Sequence, residues 1–331
     1  MMKKVLGMGN ALVDILIRLE NDAFLAEHNL PKGSMQLIDA DFAQQLQVVT
    51  NKMARIFASG GSAANTICGL AKLGVPTAFL GKTADDENGT AFGSDMKAHG
   101  VDTLLKKSTS TSSGFCTAFI SPDGERTFAT YLGAALELNA DDITDDLFKG
   151  CDIFHIEGYL LQNHELIRKA ILSAKRLVLE VSLDLASYNV VEENREFLTE
   201  LVEKYTDIVF ANEEEAHAFT GLDAEKSLEY FSSKVKTVIV KVGSKGSWLM
   251  SGNRKERVHV YPTQVVDTTG AGDIYASGFL YAYVNGLDLK QCGEIGSFLA
   301  SKIVAVIGSK FPEQQWDDIK TEMARFSTDK G

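Results

Sequence analysis

One segment of the chain combines residue types that could transfer a phosphoryl group. Residues 265–279 are VVDTTGAGDIYASGF and place Asp267 and Asp273 on either side of a Gly-Ala-Gly. Glycine lets a ligand approach the backbone closely, and the periodicity that follows predicts a helix whose first-turn N–H groups attract an anion. A carboxylate there would repel phosphate, so Asp273 is better explained as a base for an attacking hydroxyl. Taken alone, the segment also fits a capped helix in which Asp273 only favours the dipole.

Buried strands and helices alternate along most of the chain. The runs CDIFHIEG, RLVLEVSLD, TDIVFAN and KTVIVKVG are apolar almost throughout, as expected for strands covered on both faces, and KVLGMG and PTAFLGK predict two more. SAANTICGLAKLG and ENGTAFGSDMKAHG have helical spacing and end on glycine. The alternation predicts an α/β fold, a three-layer α/β/α domain with a mainly parallel central sheet.

Two regions, residues 14–39 and 108–131, interrupt this alternation. The second alternates with period two and contains the turn sequence Pro122-Asp123-Gly124, which predicts an antiparallel hairpin. We expect the two regions to form a small, discontinuous β-sheet lid on a single domain that spans residues 1–331. The lid should close over the carboxyl ends of the central strands, where open α/β sheets bind ligands.

The composition of the chain argues against several classes of binding partner. The formal net charge is −12 and the chain has no Lys/Arg-rich run, so we expect no nucleic-acid partner. No apolar run approaches 18 residues, so we expect no membrane span. The four cysteines are far apart and form no C-x-x-C pair, which supports neither zinc nor a disulfide framework. We expect a cytoplasmic monomer or homodimer that acts on a small molecule.

Four motifs, in order, resemble those of the PfkB-type carbohydrate kinases, the family of ribokinase and adenosine kinase. DTTGAGD resembles the C-terminal signature, and SGGSAANTICGLAKLGVPTAFLGKTADDENG at 59–89 resembles the N-terminal one. NEEE at 212–215 resembles the N-x-x-E motif, and KVGSKGS at 241–247 resembles the nucleotide-side turn. The resemblance runs from about residue 5 to residue 308. It implies a ribokinase-like kinase that uses ATP and Mg²⁺.

The resemblance also implies roles for residues near the phosphates. Asp273 would be the catalytic base, the amides of the glycine motif would hold the developing charge, and an arginine of the lid would approach the phosphate. Two residues of the N-x-x-E motif would hold Mg²⁺ through water, and the 241–247 turn would line the nucleotide. A monovalent cation such as K⁺ would bind beside the glycine motif, although a turn aspartate explains that position as well. The residues concerned are Arg126, Asn212, Glu215, Lys241, Gly243, Gly246, Asp267, Thr269, Gly270, Ala271 and Gly272.

The acceptor half of the site is predicted around Asp14, which interrupts the apolar pattern NALVDILIRL. An unpaired buried carboxylate is costly, so Asp14 should face a partner. The resemblance implies that Asp14, Gly60, Gly61 and Asn65 bind sugar hydroxyls. GMGNALVDI, which includes Asn10, and KGSMQLID resemble the adenosine kinase subgroup.

A purine would also need an apolar slot with stacking surface, for which the lid offers several side chains. The same side chains could instead pack the core of the lid or seal it over a sugar. The candidates are Met35, Phe115, Cys116, Phe128 and Tyr131.

These observations predict an ATP-dependent kinase that phosphorylates the CH₂OH group of an adenosine-like ribonucleoside or a sugar. A fructokinase- or ribokinase-like enzyme that acts on a hexose or ribose is the alternative. Two other classes stay open: a non-catalytic ligand sensor and an NAD-dependent oxidoreductase. The intact glycine motif with Asp273 argues against the sensor, and Leu12 stands where a dinucleotide fingerprint needs its third glycine.

Overall fold

A nine-stranded sheet forms the centre of the computed structural model, which describes residues 3–327. Residues 1–2 and 328–331 of the predicted domain lie outside the described residues. Within that range, the strands are β1 (Val5–Met8), β2 (Leu12–Arg18), β3 (Met35–Leu37), β4 (Arg55–Gly60), β5 (Thr77–Ala84), β6 (Asp102–Ser108), β7 (Gly114–Ile120), β8 (Arg126–Tyr131), β9 (Ile153–Glu157), β10 (Glu180–Asp184), β11 (Ile208–Asn212), β12 (Thr237–Lys241), β13 (Ser247–Ser251) and β14 (Arg254–Val258).

Helices cover both faces of the central sheet. In the described part of the chain they are α1 (Ala23–Glu27), α2 (Ala40–Thr50), α3 (Ser62–Lys72), α4 (Glu87–Ala98), α5 (His164–Arg176), α6 (Tyr188–Glu193), α7 (Arg195–Lys204), α8 (Glu213–Thr220), α9 (Ala224–Ser232), α10 (Ala271–Val284), α11 (Leu289–Ile303) and α12 (Gln315–Met323). None of these helices has the length and apolar character needed to cross a membrane.

The strand order of the central sheet is β14-β13-β12-β11-β10-β9-β1-β5-β6. The seven strands from β12 to β6 are parallel, and β13 and β14 add an antiparallel hairpin at one edge. Successive side chains point to opposite layers: Val5 packs with α3, α10 and α11, whereas Leu6 and Met8 pack with α5, α7, α8 and α9. The predicted three-layer α/β/α architecture is therefore confirmed.

The lid is a separate five-stranded sheet with the order β3-β8-β7-β2-β4. β7 and β8 form the predicted antiparallel hairpin. The prediction of two lid segments was incomplete, because β4 also belongs to the lid and pairs antiparallel with β2. The predicted bounds were also inexact, since β2 of the lid begins at Leu12 and Ser108 ends β6 of the central sheet. The sequence of β4, RIFASG, is short and pairs with a strand about 40 residues away, so local pattern gave no sign of it.

Successive side chains of a lid strand point to opposite faces of the lid, so only every second one faces the central domain. On β2, Leu12, Asp14 and Leu16 lie on the side of a cavity between the two sheets. Val13, Ile15 and Ile17 alternate with them and are buried in the core with residues of α1, α2 and α4. The lid thus has its own packed outer layer, and its inner face is available to a ligand.

Phe279 of α10 ties that helix to the central sheet. It is fully buried, and its ring meets the ring of Phe210 on β11 edge-on at a centroid distance of 5.4 Å. Phe279→Ala should lower the free energy of unfolding by about 3–5 kcal/mol, since the cavity cannot fully collapse. Denaturant titration measures the loss. As a matched control, Phe57→Ala removes a lid phenylalanine that is 38% exposed and should cost far less; equal losses would contradict this account.

Candidate active site

The start of α10 is built for close approach to its backbone. Gly270 has a φ of 73°, and a β-carbon there would lie 2.7 Å from Cβ of Ser309, so only glycine fits. A β-carbon on Gly272 would lie 3.0 Å from Nζ of Lys241, which places that ammonium beside the first turn. The amide of Ala271 already donates to the carbonyl of Thr268 at 3.2 Å. The amides of Gly270 and Gly272 therefore remain the candidate donors to an anion. The expectation that the Ala271 amide also holds the anion is corrected, because that amide is already used within the turn.

Asp273 projects from this turn and is held by α3. Ser62 Oγ donates to its Oδ1 at 2.7 Å, and Asn65 Nδ2 donates to its Oδ2 at 2.9 Å. Burial raises the pKa of Asp273 to about 6 against the lowering effect of these two hydrogen bonds. A carboxylate that is fixed in place and titrates near neutrality suits a general base.

Small residues let α3 and α10 lie close enough for these bonds. A β-carbon on Gly69 of α3 would lie 2.4 Å from Oγ of Ser277 on α10. That hydroxyl donates to the carbonyl of Thr66 at 2.8 Å, and the Thr66 hydroxyl donates to the carbonyl of Asp273 at 3.1 Å. The helix contact therefore also holds the backbone of Asp273, whose carboxylate bonds to the same helix.

Asp14 lies across the cavity on β2, over the Gly60-Gly61 turn. A β-carbon on Gly60 would lie 2.2 Å from Oδ1 of Asp14, and one on Gly61, where φ is 95°, would lie 2.2 Å from the carbonyl of Asn10. Burial raises the pKa of Asp14 to about 6; the charge of Lys310 opposes this and that of Asp273 adds to it. Asp14 is thus a half-buried carboxylate that forms no ion pair with the described residues, as expected for a group that meets hydroxyls.

A single cavity of about 1060 Å³ joins these groups. It lies between the lid and the carboxyl ends of the central strands, where the residues that end β10, β11 and β12 reach its wall. The cavity brings together most of the predicted site residues: Asp14, Gly61, Asn65, Cys116, Arg126, Phe128, Asn212, Glu215, Lys241, Gly243, Gly246, Thr269, Gly270, Ala271, Gly272 and Asp273.

Several predicted acceptor residues do not line this cavity. Phe115 lies on the opposite face of β7, fully buried, with its ring 5.7 Å from that of Tyr131. Met35 is 61% exposed on the edge strand β3. Gly60 supports Asp14 from beneath, and Asn10 is buried away from the cavity wall. The expectation of a slot built by Phe115 and Met35 is therefore corrected, because strand parity and the lid edge direct them elsewhere.

Asp267 does not fit the predicted monovalent-cation site. Its carboxylate accepts from the Thr269 amide at 3.0 Å, the Thr269 hydroxyl at 2.8 Å and the Gly308 amide at 2.6 Å. Nη1 of Arg126 completes the set at 2.6 Å from Oδ2. Two donors thus bond to each oxygen of the Asp267 carboxylate, and no lone pair is left to bind potassium. Nη2 of Arg126 is buried without a hydrogen-bond partner among the described residues, so this donor suits an anion in the cavity.

The other half of the cavity carries the N-x-x-E motif. Glu215 accepts from the amide and the side chain of Asn212 at 2.8 and 2.6 Å, and Asn212 Oδ1 accepts from the Glu215 amide at 2.8 Å. Burial and the charge of Asp184 raise the pKa of Glu215 to about 7. Both residues of the motif are therefore locked in a helix cap, with a buried carboxylate at the cavity wall.

Sequence reasoning missed two carboxylates that end buried strands. Asp184 closes β10, lines the cavity and lies 3.4 Å from Nζ of Lys241. Glu157 closes β9 and accepts from the amide and side chain of Asn10 and from the Ala63 amide, each at 2.8 Å. Glu157 thereby fixes the start of α3, and burial raises its pKa to about 7. An acidic residue at the carboxyl end of a parallel strand was the signal available for both.

The comparisons with known proteins agree on one family. The family model described as pfkB family carbohydrate kinase matches residues 30–316. An uncharacterized sugar kinase of Archaeoglobus fulgidus is 32% identical over 73% of this chain and 96% of its own length. A 5-dehydro-2-deoxygluconokinase of Halalkalibacterium halodurans is 30% identical over 74% of this chain and 79% of its own. The crystal structure of adenosine kinase from Sinorhizobium meliloti is 36% identical, with a TM-score of 0.85 over 99% of this chain and all of that one.

The charge of the half-buried Asp273 carboxylate should lower the stability of the folded chain at neutral pH. Its pKa is about 6 in the folded chain against 3.8 as the ordinary value, so the stabilising effect of its neutral form is lost as pH rises through 6. At about pH 8, Asp273→Asn should raise the free energy of unfolding by about 3 kcal/mol, because the charge is removed. Loss of the hydrogen bond from Asn65 should lower it by about 1 kcal/mol. The melting temperature should rise, more so at about pH 8 than at about pH 5.

The same substitution at Asp288, an exposed cap of α11, serves as the control and should not raise the melting temperature. An Asp273→Asn effect of the same size at both pH values would show that the ionised carboxylate carries no such cost.

Proposed function

We propose that this chain, which belongs to the pfkB family of carbohydrate kinases, transfers the γ-phosphoryl group of ATP to the CH₂OH group of a ribonucleoside such as adenosine. One observation carries the proposal. Asp273 and the N-terminus of α10 share a cavity with Asp14, beneath a lid whose inner face is mainly apolar. The kinase chemistry follows from the family, whereas the nucleoside is inferred from the lid.

The reaction needs a base and a place for negative charge. Asp273, with its pKa near 6, is ionised above neutral pH and can take the proton of the acceptor hydroxyl. The hydroxyl oxygen then bonds to the γ-phosphorus, and the bond to the bridging oxygen of ADP breaks. The amides of Gly270 and Gly272, the ammonium of Lys241 and the free Nη2 of Arg126 can stabilise the charge that develops.

The donor half of the cavity suits a magnesium nucleotide. Asp184, Asn212 and Glu215 present the carboxylate and amide oxygens that Mg²⁺ prefers. Hydrogen bonds within the helix cap already use both oxygens of Glu215, so these residues would hold the ion through its water ligands. The ion would supply charge neutralisation on the phosphates. Gly243 and Gly246 would let the nucleotide approach the turn after β12.

The inner face of the lid favours a neutral acceptor with an apolar part. Next to Asp14 it presents Leu16, Ile56, Ala118 and Phe128, a surface on which a purine can stack. A sugar acid would instead need a cation beside the lid. The ammonium of Lys310 is already paired with Asp95, and the free Nη2 of Arg126 is the donor assigned above to the transferred phosphate. The similarity to an adenosine kinase supports the same choice.

A kinase of free ribose or a hexose is the second candidate. Asp14, Gly61 and Asn65 form a polar group that can bind the hydroxyls of a furanose in either case. Similarity to sugar kinases over about three-quarters of the chain favours it. The two candidates differ only in what occupies the apolar face of the lid beyond the sugar ring.

Asp273→Asn should reduce kcat by at least ~10²-fold, as for the loss of a general base, because the amide cannot take the hydroxyl proton. Coupled release of ADP from Mg·ATP and adenosine measures kcat, and calorimetry should find ATP binding largely kept. Asp288→Asn, with the same chemical change far from the cavity, should turn over normally. Near-normal turnover of Asp273→Asn would remove this residue from the mechanism.

Phe128→Ala should raise KM for adenosine several-fold and leave ribose nearly unaffected, since a stacked ring contributes about 1 kcal/mol or more. Asp14→Ala should raise KM for every acceptor, because the hydroxyl contact is shared. A coupled ADP-release panel of nucleosides, ribose and hexoses tests both, with Phe57→Ala as the lid control. If free sugars exceed adenosine about ten-fold in kcat/KM, the assignment of a nucleoside acceptor is wrong and the assignment of a kinase is kept. If no alcohol leads to ADP release, both assignments lose support.

A further inference from the structure

Lys310 connects the lid strand β4 with α4 of the central domain, and it lies at the wall of the cavity. Nζ of Lys310 lies 2.7 Å from Oδ2 of Asp95 on α4 and also donates to the hydroxyl of Ser59 on the lid strand β4. The Ser59 amide and hydroxyl donate to the same oxygen of Asp95 at 2.8 and 2.6 Å. Lys310 also lines the cavity. The lysine is therefore part of a closed network that reaches from the lid to the central domain.

This network holds the lid at the point where it meets the acceptor. Ser59 directly precedes the Gly60-Gly61 turn and lies opposite Val13 in the β2–β4 ladder, one residue from Asp14. Next to Lys310, the hydroxyl of Ser309 donates to Oδ1 of Asn65 at 3.2 Å. An anchor on Ser59 thus fixes the glycine turn and the strand register beneath Asp14.

We propose that Lys310 is a positioning residue for the acceptor: it fixes the lid strand that carries the Gly60-Gly61 turn and keeps a positive charge beside Asp14. The inference rests on the proposed kinase function and adds to it a residue for acceptor binding. No motif of the sequence pointed to Lys310, which lies 37 positions after Asp273.

The charge of Lys310 matters because Asp14 is half-buried and shares the cavity with the carboxylate of Asp273. Burial raises the pKa of Asp14 to about 6, and Lys310 is the strongest of the charges that oppose this. An ionised carboxylate accepts hydrogen bonds from two hydroxyls, whereas a protonated one must donate at one oxygen. The groups that face Asp14 are Asp273 from α10, Arg126 and Cys116 from the lid, and Ser309 and Lys310 from the turn before α12.

The same charge also satisfies Asp95. Burial would raise the pKa of Asp95, but Lys310 and Ser59 outweigh it and hold the pKa at about 2. Nδ1 of His99, the residue that caps α4, lies 3.5 Å from Oδ1 of Asp95, and burial together with the charge of Lys310 lowers the pKa of His99. Removal of the ammonium would therefore leave Asp95 without its lysine partner, close to Ser59 and the lid strand.

Lys310→Met tests the proposal in the full-length enzyme. The KM for adenosine should rise at least about ten-fold, because a part-buried ion pair that anchors the site is broken. The KM for ATP should stay within about two-fold, since the donor half of the cavity is untouched. The acidic limb of kcat/KM for adenosine should move to higher pH, because the pKa of Asp14 rises further without the ammonium. Lys310→Arg should restore much of both properties.

The chain offers a matched control in Lys72. Its side chain is 14% exposed against 13% for Lys310, and it forms an equally short ion pair of 2.7 Å with Glu313. Lys72→Met should leave the adenosine KM and the pH profile unchanged. Ser59→Ala should raise the adenosine KM without moving the acidic limb, because it weakens the anchor and keeps the charge.

The outcomes separate this inference from the kinase assignment. If wild type releases ADP but Lys310→Met keeps its adenosine KM, or loses adenosine and ATP affinity equally, the positioning role is wrong. If Lys310→Met does not fold, Ser59→Ala and Lys310→Arg decide: an unchanged KM for adenosine in Ser59→Ala overturns the anchor. If wild type phosphorylates no alcohol, the proposed function fails first, and calorimetric binding of adenosine to Lys310→Met and wild type still tests the acceptor site.

Discussion

The contact between α3 and α10 is the constraint on which the site depends. Gly69 admits Ser277 so closely that a β-carbon at Gly69 would lie 2.4 Å from its hydroxyl. This seam brings Ser62 and Asn65 within 2.7 and 2.9 Å of Asp273. Because α3 begins directly after the Gly60-Gly61 turn of the lid, the same contact fixes the distance between Asp273 and that turn. A larger residue at the seam would therefore separate the two halves of the cavity.

Electrostatics around the cavity follow from carboxylates that are buried or half-buried near its wall. Burial raises the pKa of four of them, and hydrogen bonds or charges from specific neighbours oppose that rise. The arrangement suits a reaction that needs one proton acceptor and a cationic path for phosphate. It also explains why the cations are paired across elements: each ion pair joins a part of the chain that must stay in register with another. The four carboxylates with a raised pKa are Asp14, Glu157, Glu215 and Asp273, and Asp184 lines the cavity beside Lys241.

The lid supplies an apolar part of the cavity wall. Its outer layer is an ordinary packed core, so its inner face is free to differ without loss of the fold. Here that face combines one carboxylate with aliphatic and aromatic surface, which favours an acceptor with a polar ring and an apolar extension. In the proposed reaction, by contrast, the half of the cavity around Asp273 would contact only phosphate and one hydroxyl, and it would place little demand on the rest of the acceptor.

The sequence alone determined the local chemistry and the order of elements. The glycine turn with Asp273, the buried parallel strands and the lid hairpin all follow from spacing within a few residues, and each is present in the structure. Contacts between distant segments were decided only by the tertiary structure. β4 is recognised as a strand only through its pairing with β2. Phe128 lines the cavity whereas Phe115 faces the opposite side of the lid, because of their positions along the strands. The ion pair of Asp267 with Arg126 joins residues 141 positions apart. Periodicity reports which face of an element is buried, whereas the identity of a side chain's partner depends on how the sheets and helices pack.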